Sequence, residues 1–87
     1  MFLHLGGNVV VPSEDIIGVF DYNAIMYSSD TTQFLRLAEE DGFVEKISKD
    51  RPKSVIIAEI NKKSKIFLSP ISSSTLNKRN KTFYCAL

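Results

Sequence analysis

The segment SVIIAEINKKSKIFLSP, residues 54–70, constrains the fold more than any other stretch. Ser54 to Ile60 is rich in β-branched residues and predicts a strand. Asn61-Lys62-Lys63-Ser64 is a polar turn, and Lys65 to Ser69 predicts the hairpin partner, stopped by Pro70. A chain containing this hairpin must build a sheet around it.

Other short strands follow from the same rules. Phe2 to Leu5 and Val9 to Val11 flank Gly6-Gly7-Asn8, whose residues tolerate the positive φ of a tight hairpin turn. Pro12-Ser13 breaks that run, and Ile16 to Phe20 forms a third strand ending at Asp21. Residues 21–29, with Asn23 and Ser28-Ser29, predict a loop. Asp30-Thr31-Thr32-Gln33 then resembles a capping box. Phe34, Leu35, Leu37 and Ala38 follow with the spacing of one buried helix face. Glu39-Glu40-Asp41 opposes the helix dipole, and Gly42 suits the position just past the helix end. Phe43 to Ile47 predicts a short strand. Ser73 or Ser74 is expected to cap a short helix over about residues 75–81. An apolar tail, Phe83 to Leu87, is suited to docking. The expected fold is a small α+β domain of about six short, mostly antiparallel strands, one central helix and a short C-terminal helix, spanning 1–87 as one domain.

Eighty-seven residues, 44% of them apolar, bury only a thin core. A chain of this length hides ~60–65% of the surface its unfolded form exposes. Its several strands also leave unpaired edges, so self-association is expected. The start lacks the basic and apolar regions of a signal peptide, and no stretch approaches a membrane span. The single Cys85 forms no internal disulfide, so a reducing cytoplasm is the expected location. The ending Cys85-Ala86-Leu87 is one residue short of a prenylation box, and no lipid anchor is expected.

The net charge of +1 conceals a strong asymmetry. Residues 1–45 hold eight acids and one base, Arg36, for −7; residues 46–87 hold ten bases and two acids, for +8. Such a basic half implies either a polyanionic partner or the acidic half of another copy.

Little else in the chain carries chemistry. His4 stands alone in a strand, and Cys85 has no histidine near it in sequence. Gly6-Gly7 lacks the helix and following motif of a phosphate loop. Glu14/Asp15 and Glu39/Glu40 are adjacent pairs whose side chains point apart. No enzyme, metal, cofactor or small-molecule substrate is expected.

The cations are more informative. Lys62, Lys63 and Lys65 fall in a hairpin turn, where lysines are ordinary. Lys46, Lys49, Arg51 and Lys53 precede the main strand, with Pro52 stiffening the loop. Arg51 and Lys53 lie two apart and share a face if the strand reaches back that far. Arginine's fork grips phosphate in two places, and lysine adds a point charge. Lys78, Arg79 and Lys81 sit near the end of the last helix, where cations also suit the dipole. The candidate phosphate contacts are therefore Arg51, Lys53, Lys49, Lys46 and Arg79. Phe34, Phe43 and Phe67 fall on core periodicities, so duplex-backbone binding is favoured over base stacking.

The blocks FLHLGGNVVVPSEDIIGVFD, KSVIIAE and FLSPISSSTLNKR, in this order and over most of the chain, resemble the bacterial extracellular matrix regulatory proteins, the RemA/RemB family, and its RemB-like branch most closely. For the family's RemA-like branch, the resemblance implies a DNA-binding transcriptional activator of biofilm matrix genes. It also implies ring-like homo-oligomers that turn arginines of a basic loop toward the backbone of double-stranded DNA. The matching loop is Lys49-Asp50-Arg51-Pro52-Lys53. Arg51 falls on one of the family's arginine positions, Asp50 stands where another is expected, and Lys53 replaces a third. An acid beside Arg51 weakens its hold on phosphate. The alternative is an assembly module whose basic half pairs with the acidic surface of its neighbours.

Overall fold

Strand β5 (Ser54–Ile60) is apolar on both sides because the sheet is covered on both sides. Ile56, Ala58 and Ile60 point into one core, Val55 and Ile57 into another. A computed structural model describes residues 2–79, with Arg79 by its backbone alone. Its sheet has the order β3-β5-β6-β4, with β3 Ile16–Asp21, β4 Val44–Lys46 and β6 Lys63–Ser69. β5 pairs antiparallel with β3 and β6, while the edge strand β4 runs parallel to β6. The fold is the expected α+β class, with six strands in two sheets and three α-helices among the described residues.

The first face carries the hairpin of β1 (Phe2–Gly6) and β2 (Val9–Pro12), together with the short helix α3 (Ser73–Arg79). Leu3, Leu5, Val11 and Leu76 pack there on Ile16, Val19, Ile56, Ala58 and Phe67. The second face carries α1 (Tyr22–Ile25) and α2 (Ser29–Glu40), which cover Val55, Ile66 and Leu68 through Tyr22, Ile25, Leu35 and Ala38.

Several expectations shift. The segment expected as loop over 21–29 contains the helical turn α1, because Asp21 caps it by accepting the Ala24 N–H at 2.9 Å. α2 starts earlier than the supposed box, since Ser28 rather than Asp30 caps it, accepting from Thr31 N at 3.3 Å. α2 ends as expected. Gly42 has φ +80°, and Phe43 N donates to Ala38 O and Gly42 N to Glu39 O, which closes a Schellman motif. Ser72, not Ser73 or Ser74, caps α3 by accepting from Thr75 N at 3.3 Å. The β5–β6 turn is only Asn61-Lys62, both at positive φ, so Lys63 and Ser64 belong to the strand.

The larger correction concerns the aromatics. Phe67 is core, but Phe34 and Phe43 are 58% and 51% exposed. Leu37 of the supposed buried helix face is 52% exposed as well. α2 rests on the sheet through Leu35 and Ala38, and Phe34 and Leu37 hang off one flank. Lys81, Cys85 and the apolar tail lie outside the described residues.

Candidate nucleic-acid interface

The basic loop is a crossover. It leaves the edge strand β4, passes the C-terminal end of β6 and enters β5, two strands away. Seven residues, 47–53, make this passage. Both ends are pinned to β6: Ile47 N donates to Leu68 O at 3.0 Å, and Lys53 N donates to Ser69 O at 2.8 Å. Lys53 O in turn accepts from Tyr22 N at 3.0 Å, which ties the loop to the start of α1. Ile47 packs against the first core. Between these anchors Lys49, Asp50 and Arg51 are exposed, and Pro52 is half-buried. Asp50 N donates to Ser48 Oγ at 3.1 Å, a local turn that orders the tip.

Beneath the tip, the loop and α2 enclose a groove of about 740 Å³. Tyr22, Leu35, Val44 and Leu68 supply apolar lining. Lys46, Lys49 and Arg51 line the loop side; Arg36 and Glu39 line the α2 side. Thr32, Arg36 and Glu39 recur at helical spacing, so one flank of α2 faces this groove. All four cations are exposed, and none joins an ion pair among the described residues. Two acids, Glu39 and Asp50, share the groove, which leaves it net positive.

The remaining candidates are placed differently. β5 begins at Ser54, so Lys53 lies just before the strand. Lys53 is exposed but does not line the groove. Arg79 ends α3, and its side chain lies outside the described residues. Lys65 is committed to structure: its Nζ sits 2.9 Å from Glu45 Oε1 and 5.4 Å from the Phe67 ring centroid, bridging β6 to β4. His4 Nε2 donates to Gly7 O at 2.7 Å and braces the β1–β2 turn. No group of His, Cys, Asp and Glu among the described residues is arranged to hold a metal ion. No helix among them is long and apolar enough to cross a membrane.

Arg36 is the residue that charge counting passes over, because it stands alone among acids. Its helical spacing with Thr32 and Glu39 was the available signal.

Comparison with known proteins shows the family. A family model described as "RemA-like: Extracellular matrix regulatory protein A-like" matches residues 2–79. The chain is 39% identical over 79 residues to Extracellular matrix regulatory protein B of Bacillus subtilis (strain 168), covering 91% of this chain and 89% of that relative. The basic loop lies inside the matched region, as do α2 and both described sheets. The chain therefore belongs to the RemA-like family of extracellular matrix regulatory proteins.

Proposed function

We propose that this chain is a non-enzymatic regulator of bacterial extracellular matrix genes that acts in the cytoplasm by binding double-stranded DNA as a homo-oligomer. One observation carries this: Arg36, Lys46, Lys49 and Arg51 line one groove, exposed and without ion-pair partners among the described residues. A groove lined by more cations than acids is stabilised by an anion. Phosphate on a DNA backbone supplies a regular row of anions, and contacts of this kind position a protein without reading sequence. The matrix-regulatory name of the relative gives such binding a purpose.

One subunit offers too few contacts for firm binding. Several copies in a ring present the loop repeatedly, and their contacts act together along one duplex. An unpartnered apolar surface suits such assembly. Phe34, Leu37, Ala38, Phe43 and Ile66 line a second groove, on the flank of α2 opposite the basic one. Asp41 and Lys63 stand at its rim, so both signs of charge are available to a second copy. Binding of labelled duplex DNA tests this directly. Arg51→Ala is expected to weaken binding about 10-fold at low salt while leaving the oligomer mass unchanged. Equal binding by the variant contradicts the role given to the loop.

The same apolar groove and the charge asymmetry favour a second reading, a pure assembly module. In that case raised salt dissolves the oligomer, and DNA does not compete for the basic surface.

A further inference from the structure

We propose that Arg36 is the second guanidinium of the phosphate-binding surface, standing on α2 across the groove from Arg51. This rests on the DNA-backbone reading above. Arg36 is the one cation in the first 45 residues, set among eight acids. A merely solvated helix arginine would lie on the face turned away from neighbours. Arg36 instead lies on the flank that lines the groove, one turn from Thr32 and three residues from Glu39. Glu39 is well spaced to pair with it, yet no ion pair forms. Arg36 is thus exposed and without an ion pair on the wall of the same groove that Arg51, Lys49 and Lys46 line.

The loop alone is a poor arginine site, because Asp50 occupies the position beside Arg51. A lone fork next to a carboxylate holds phosphate weakly. The opposite wall restores a second fork from a rigid helix, so a phosphate entering the groove meets arginine on both sides. The interface is then a cleft with two walls, and the spacing between loop and α2 decides how the backbone enters.

The test compares the full chain with Arg36→Ala, Arg36→Lys and Arg51→Ala on one labelled duplex across a salt series. Arg36→Ala is expected to bind roughly 5–10-fold more weakly at low salt and to lower the slope of log affinity against log salt by about 0.9 for each subunit in contact. Arg36→Lys is expected to keep the slope and recover only part of the affinity, since it keeps the charge and loses the fork. Unchanged melting of both variants separates contact from folding. If Arg51→Ala weakens binding and Arg36→Ala does not, Arg36 is a solvated helix residue and the cleft is overturned while DNA binding stands. If the parent chain ignores duplex DNA at low salt, both fall together.

Discussion

Ser69 is fully buried and joins three parts of the chain. Its Oγ donates to Leu5 O at 2.6 Å and accepts from Ile71 N at 3.0 Å, linking β1, β6 and the approach to α3. Its backbone carbonyl holds the end of the basic loop through Lys53 N. Ser69→Ala leaves the buried Leu5 O and the half-buried Ile71 N without these partners and is expected to cost about 1–3 kcal/mol in urea unfolding. An unchanged midpoint would show that water or a neighbour replaces both bonds. On the proposed DNA-binding reading, Asp50 bears on binding rather than on folding. It is exposed, with its backbone bonded to Ser48, so Asp50→Asn keeps the turn and removes the charge beside Arg51. DNA affinity is expected to rise about 3–10-fold, most at low salt, as measured by fluorescence anisotropy. At this scale the loop was legible because its cations cluster in sequence. Arg36 was not, because its cluster exists only once α2 is laid beside the loop.

Among the elements, the β5–β6 hairpin shows how local chemistry and tertiary demand divide the work. Asn61 and Lys62 both take positive φ, 53° and 67°, as a two-residue type I′ turn requires. Asparagine accepts that conformation readily, but lysine does so under strain. Lys62→Gly is expected to stabilise the protein by about 0.5–1 kcal/mol, the relief of strain less the glycine's greater chain entropy. A lower thermal midpoint would contradict this. The strands were legible from β-branched runs bounded by Gly, Pro and Asn. α2 was legible as an element but not in its orientation. Phe34 and Leu37 keep the spacing of a core face, and periodicity cannot say which apolar stripe meets the sheet. The parallel pairing of β4 with β6 was hidden for a related reason: it depends on a non-local partner, two elements further along the chain.

For the whole molecule, α2 divides two surfaces of different character. One flank faces the basic groove; the other opens onto the apolar groove lined by Phe34, Leu37 and Phe43. Single exposed apolar side chains are common, but three large ones around one groove are a mark of an interface. Leu37→Asp is expected to lower the mass seen by light scattering to that of a smaller species while the fold melts within a few degrees of the parent. An unchanged mass would remove this groove from the assembly. Loss of the oligomer is also expected to weaken DNA binding out of proportion to any one contact, because the repeated loops then act singly. The measurement that tests the central claim most directly is duplex-DNA affinity across a salt series, with the mass determined in the same buffers. A stable oligomer whose log affinity falls with log salt at a slope of several phosphates, a slope reduced by Arg51→Ala at constant mass, is the predicted result. An oligomer of the same mass that leaves DNA unbound even at the lowest salt would contradict it.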